Sequence, residues 1–233
     1  MKQEIINKDC IQGLSELKDK SIDCIITDPP YGVGKNYGEF KDNITEVIII
    51  MEKILPEMRR VCKGTILMYA SMKHIKEWLK LNPDRLMFFI KDYIQIFPTT
   101  IQWATDLILV FFGDEKPLNK PMIKDWFHLT TADTSKKPRF NHPSIKPLNA
   151  MRYLVKTFTK EGDVILDCFM GSGTTAVACR QLNRNCIGFE INPEYCKIAN
   201  KRLSQKAVSG FNPLNEESLI SVKRESADSP NSP

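Results

Sequence analysis

Apolar positions along the chain change period repeatedly, and the changes mark out alternating strands and helices. Residues 22–27 form a short apolar run that ends in Asp28-Pro29-Pro30-Tyr31 and a glycine-bearing loop through Gly38, the pattern of a buried strand feeding a shaped loop. From Val47 the residues Ile50, Met51, Ile54, Leu55 and Met58 recur at helical spacing, with Pro56 expected to kink or split the helix and Gly64 to end it. Residues 65–70, 86–96 and 102–112 read as strands, and 73–80 as a short helix. Leu148, Met151, Leu154, Val155 and Phe158 form a second helical stripe, the mark of a core-facing helix. Residues 164–168 then read as strand, 174–182 as helix and 186–190 as strand, one βαβ unit. Asn192 caps a last helix, with Pro193 at its first position and Leu203 near its end.

No internal repeat interrupts this alternation, which predicts an α/β fold: a mostly parallel twisted sheet flanked by helices. Residues 113–141 lack clean periodicity and carry prolines, lysines and Arg139, so they read as a small, irregular, mildly basic insertion. Serine, proline and charge dominate residues 204–233, which bury too little apolar surface to repay their ordering entropy and are expected to form a disordered tail.

Composition narrows the class. A chain of 233 residues suits one sizeable domain with a small insertion. No apolar run approaches the ~20 residues a bilayer requires, and the first residues lack a signal-peptide pattern, so the expectation is a soluble, cytoplasmic protein without a membrane. The seven cysteines are odd in number, scattered and never spaced as CxxC, which argues for buried thiols and against disulfides or zinc. With three histidines besides, no metal cluster can be assembled. A net charge of +5 permits a polyanionic partner without demanding one.

Two stretches carry chemistry. In the first, a buried strand ending at Asp167 runs through Cys168, Phe169 and Met170 into Gly171-Ser172-Gly173-Thr174-Thr175, a glycine turn that opens a helix and lets backbone approach a ligand. Glu190 closes the next strand about 20 residues on, where nucleoside-binding units place an acid on ribose hydroxyls. The same geometry serves a dinucleotide. The third glycine of that fingerprint is missing, however, and S-adenosylmethionine has no pyrophosphate to seat, which favours the methyl donor.

The second stretch is Asp28 to Tyr31. Adenine N6 is a weak nucleophile because its lone pair is delocalised into the ring. A carboxylate on Asp28 and the backbone carbonyl of Pro29 can accept both amino hydrogens, hold them out of plane and stabilise the developing positive charge. Pro30 shapes the loop, and Tyr31 can stack on a base flipped out of its duplex. No cysteine stands in a Pro-Cys nucleophile setting, so the transfer is expected to be direct.

These two motifs, in this order, resemble those of the β-type amino-methyltransferases of DNA over about residues 4–203. The resemblance implies a Rossmann-like methyltransferase fold over residues 1–203, with a catalytic half at 1–112, a target-recognition insertion at 113–141 and a cofactor half at 142–203. It further implies S-adenosylmethionine as cofactor and double-stranded DNA as partner. Asp9 and Cys10 would contact the cofactor's adenine. His142, Ser144 and Lys146, in His142-Pro143-Ser144-Ile145-Lys146-Pro147, would lie along its methionine end. Cys168, Ile145 and Gly32 depart from residues frequent in that family. Aspartate rather than serine at position 28 points, by the same resemblance, to adenine N6. N4-cytosine methylation, an RNA or protein-glutamine methyltransferase, a catalytically inactive nucleic-acid-binding module and a dinucleotide oxidoreductase are the competing readings. A homodimer and a cognate restriction nuclease are compatible further partners.

Overall fold

A computed structural model describes residues 1–37, 40–95, 103–115, 123–128 and 145–205. In chain order the elements are β1 (Gln3–Asn7), α1 (Cys10–Glu16), β2 (Cys24–Thr27), β3 (Val33–Tyr37), β4 (Phe40–Asn43), α2 (Ile44–Val61), β5 (Ile66–Ala70), α3 (Ile75–Trp78), β6 (Arg85–Gln95), β7 (Trp103–Phe111), β8 (Trp126–His128), α4 (Leu148–Phe158), β9 (Val164–Asp167), α5 (Thr174–Gln181), β10 (Asn185–Glu190) and α6 (Pro193–Ser204). Among the described residues the main sheet has eight strands in the order β1-β10-β9-β2-β5-β7-β6-β8, of which β7 alone runs antiparallel to its neighbours. The expected mostly parallel α/β sheet is therefore present.

Both faces of the sheet are covered, because its strands alternate apolar side chains from one face to the other. Ile25, Met68 and Leu109 point to the face packed by Leu14, Met51, Met58 and Trp78 from α1, α2 and α3. Ile26, Leu67 and Ile108 point to the opposite face, against Leu154, Val155 and Ala176 from α4 and α5. All seven cysteines are buried and free. Among the described residues no helix is long and apolar enough to cross a membrane.

The structure corrects several expectations. Pro56 does not split its helix: α2 runs unbroken through it, capped by the Asn43 side chain accepting from the Glu46 N–H at 3.0 Å. Val47, Ile48, Met51, Ile54, Leu55, Met58 and Val61 are all buried along one face. At about 1.5–3 kcal/mol for each large apolar side chain, they outweigh the roughly 3 kcal/mol an interior proline costs. The predicted helix over 73–80 shrinks to the four residues of α3 between two 3-10 turns, ended by Asn82 in a left-handed conformation at φ 51°. The glycine-bearing loop after Tyr31 contains the β3–β4 hairpin. Part of the supposedly irregular insertion is β8, which pairs parallel with β6 at the sheet edge. Finally, β1 and α1 escape the sequence pattern, since β1 carries only Ile5 and Ile6 between polar neighbours.

Candidate active site

Strand register sets the site. Asn7 pairs with Glu190, Gly188 with Asp167 and Ile25 with Leu166, so the C-terminal ends of β1, β10, β9 and β2 finish along one edge of the sheet. From β2 the chain departs to α2 on one face, and from β9 to α5 on the other. Such a divergence between adjacent parallel strands opens a crevice, where ligands of α/β sheets sit.

A buried polar clasp holds the two strand ends together. The Thr27 hydroxyl donates to Asp167 Oδ1 at 2.9 Å and accepts from the Cys168 N–H at 3.2 Å. Asp167 also accepts from the Thr175 hydroxyl at 2.6 Å and the Phe169 N–H at 3.1 Å. Burial pushes its carboxyl up to about 6, against those hydrogen bonds. The clasp thus ties the strand before the Asp28 loop to the strand before the glycine turn.

Gly171 and Gly173 both take left-handed backbone, at φ 51° and 81°. The turn is held from two sides. Glu190 accepts from the Gly171 N–H and the Asn192 N–H, each at 2.8 Å, and burial raises its carboxyl above the ordinary range. Arg202 on α6 donates to the Ser172 carbonyl at 2.8 Å, the Ser172 hydroxyl at 2.7 Å and the Thr174 hydroxyl at 2.9 Å, with burial lowering the guanidinium to about 10. Asp9 caps α1, its carboxylate accepting from the Ile11 N–H at 2.8 Å.

Between these parts lies a cavity of about 220 Å³. Of the residues expected to bind a cofactor, Asp9, Cys10, Lys146, Asp167, Phe169, Gly171, Ser172, Thr174 and Glu190 line it. Asp28 and Pro30 from the catalytic motif line the same cavity. Gly173 does not: a Cβ there would lie 2.7 Å from the Ala199 Cβ, so its missing side chain admits α6. Pro29 and Tyr31 are also off the wall. His142 and Ser144 fall outside the described residues, as does most of the 113–141 insertion. Sequence reasoning missed the apolar side of the cavity, built by Ile11, Val47, Ile50, Met51 and Ile191. Of these, Val47, Ile50 and Met51 belong to a stripe that also packs the core, and the pattern does not separate the two uses.

The Asp28 end is densely polar. Tyr31 donates its hydroxyl to Asp28 Oδ1 at 2.6 Å. Burial, followed by the charge of Asp28, lifts the phenol well above its usual range. Lys146 Nζ stands 3.2 Å from Asp28 Oδ1, donates to the Tyr31 hydroxyl, and lies 4.7 Å from the ring centroids of Tyr31 and Tyr69. Behind them Lys91 donates to Asp106 at 2.8 Å. Burial pushes the Asp106 carboxyl upward, but Lys146, Lys91 and Lys35 outweigh it and hold the group below its ordinary value. Asp42 tethers the hairpin by accepting from the N–H groups of Gly32 at 2.6 Å, Val33 at 3.1 Å and Lys35 at 2.9 Å.

Comparison with known proteins gives the site a context. The DNA methylase family N6_N4_Mtase matches residues 22–201. The Type II methyltransferase M.HpaI of Haemophilus parainfluenzae is 31% identical over 250 residues, covering 93% of this chain and 78% of that protein. A crystal structure of an M1.HpyAVI-SAM complex is similar with a TM-score of 0.63 and 26% identity, over 86% of this chain and 99% of that one. The PvuII DNA methyltransferase (cytosine-N4-specific) is similar in fold, with a TM-score of 0.71 at 12% identity over 94% of this chain and 92% of its own.

Proposed function

The chain belongs to the DNA methylase family N6_N4_Mtase, the β-type amino-methyltransferases of DNA, and from that premise we propose that it methylates adenine N6 of a base flipped out of double-stranded DNA. One juxtaposition carries the reading: Asp28 and Pro30 share a single cavity with Phe169, Gly171 and Glu190. The cavity suits S-adenosylmethionine, since its lining joins apolar side chains for a purine with the Glu190 carboxylate for ribose hydroxyls and the Asp28 carboxylate. When bound, the cofactor supplies an electrophilic methyl group. Glu190 would hold its ribose, Asp9 and Cys10 its adenine, and Phe169, Ser172 and Thr174 its methionine end, a role also proposed for His142, Ser144 and Lys146.

The protein's own groups then make the amino nitrogen reactive. Asp28 and the Pro29 carbonyl accept its two hydrogens and hold them out of the ring plane, so the lone pair is released from conjugation. As positive charge grows on that nitrogen, the Asp28 carboxylate stabilises it and is placed to take the proton the product must lose. Tyr31 offers a face on which the base can stack, offsetting the few kcal/mol of extrusion.

Aspartate rather than serine at position 28 supports adenine over cytosine N4. Residues 113–141 are assigned to target recognition between the catalytic half at 1–112 and the cofactor half at 142–203. Free, buried thiols fit a cytoplasmic setting; a second copy and a cognate restriction nuclease are the partners to look for. The test is incubation with labelled methyl donor and unmethylated DNA, for the native protein and Asp28→Ala. Label is expected on DNA from the native protein alone, and equal labelling by both would remove the role given to Asp28. Digestion to nucleosides should yield N6-methyldeoxyadenosine, whereas N4-methyldeoxycytidine would overturn the choice of base.

A further inference from the structure

The Lys146 ammonium contacts the groups that the reading above assigns to the target amino group. A target amino group needs an oxygen of Asp28 to accept its hydrogen and an aromatic face beside it. Lys146 takes both, 3.2 Å from Asp28 Oδ1, bonded to the Tyr31 hydroxyl and 4.7 Å from the centroids of the Tyr31 and Tyr69 rings. The contact is enclosed, with the two side chains 10% and 20% exposed.

That arrangement opposes the chemistry proposed above. Methyl transfer puts positive charge on a nitrogen beside Asp28, and a lysine cation there competes for the same oxygen and repels the new charge. Lys146 would therefore have to leave Asp28 before the transition state. Asp106 keeps Lys91 at 2.8 Å, and Tyr31 keeps its own hydrogen bond to Asp28 at 2.6 Å. Lys146 is also on the cavity wall, so an anionic group entering that cavity is within the side chain's reach. S-adenosylmethionine carries one such group, the α-carboxylate of its methionine part.

We infer that Lys146 is a resident stand-in for the target amino group, drawn off Asp28 by the cofactor's carboxylate, so that the base site opens only once the cofactor is in place. A ligand shifts such an equilibrium by its differential affinity for the two lysine positions, which makes the competition measurable by binding alone. This inference rests on the cofactor reading above, and the experiment separates the two.

The probe is S-adenosylhomocysteine, which keeps the carboxylate but lacks the sulfonium charge that Asp28 would otherwise attract. Its Kd is measured by calorimetry for the native protein, Asp28→Asn and Tyr31→Phe, and for both substitutions in a Lys146→Met background. Loosening the hold on Lys146 should tighten binding about fivefold or more in each single variant, and the gain should vanish without the lysine. Tyr31→Phe stands independently should Asp28→Asn fail to fold. Methylthioadenosine, which has no carboxylate, should bind all folded variants alike. Unchanged or weaker S-adenosylhomocysteine binding in both single variants, or a gain that survives Lys146→Met, overturns the stand-in while leaving the cofactor reading intact. No binding to the native protein would remove both.

Discussion

Thr27 Oγ1 donates to Asp167 Oδ1 at 2.9 Å, joining residues 140 positions apart in the chain beside the cavity that Asp167 lines. The carboxyl it meets is fully enclosed and titrates near 6 instead of an ordinary 3.8. The folded protein thus holds this proton more tightly than the unfolded chain does. Stability from the protonated form is full below about pH 4 and is lost as pH rises through about 6. The loss is on the order of 3 kcal/mol. Asp167→Asn removes the titration, so the native Tm should fall more steeply than the variant's between pH 4 and 6. Parallel curves would contradict the raised value.

Pro56 sits in the middle of α2 with its ring exposed, and its missing N–H leaves the Glu52 carbonyl without the usual helical donor. Pro56→Ala restores that donor and removes the ring's clash, against a gain of entropy in the unfolded chain. The net expectation is a stabilisation of about 1–2 kcal/mol, seen as a higher urea midpoint at unchanged m-value. A lower midpoint would mean the proline shapes the helix usefully.

The same proline shows where the sequence was legible and where it was not. Local rules read a breaker at position 56, but seven buried side chains on one face decided the matter, and their partners are invisible to a local window. Asp28 to Tyr31 and Gly171 to Thr175 stood out because prolines and glycines punctuate the chain for backbone reasons that survive any context. Lys146 was legible only as part of a cofactor segment. Its place on Asp28 depends on the β9-β2-β5 order, which brings the approach to α4 over the end of β2. Gly173 was read correctly as a turn glycine, yet the close approach it allows is to Ala199.

Gly173→Ala should therefore be a stability variant. Its φ of 81° costs an alanine about 1–2 kcal/mol, and the 2.7 Å contact with Ala199 adds overpacking of about 1–3 kcal/mol. Ala199→Gly relieves the contact but not the backbone strain, and glycine inside α6 itself costs about 0.5–1 kcal/mol, so the double variant should recover only part of the loss in thermal melts. Where the single variant remains folded, it should bind S-adenosylhomocysteine close to native affinity. Strongly weakened binding without a drop in Tm would return Gly173 to the ligand's surface.

Glu190 bears on function most directly. Its two oxygens already accept the N–H groups of Gly171 and Asn192, and each keeps a second lone pair for a ribose hydroxyl. Glu190→Gln replaces one acceptor with an amide donor that faces a backbone N–H, which disturbs the turn and removes a ribose contact. Loss of charged hydrogen bonds of this kind corresponds to about 10- to 100-fold in affinity. That loss should appear in the Kd for S-adenosylhomocysteine and in KM for S-adenosylmethionine, with kcat at saturating cofactor near native, because a ribose contact is made equally in ground and transition states. Asp28→Asn should show the opposite split, with kcat down by about 100-fold or more because its interaction strengthens only as charge develops. A kcat loss in Glu190→Gln as large as that of Asp28→Asn would place Glu190 in the reaction itself, and the division of this cavity into a holding end and a reacting end would be wrong.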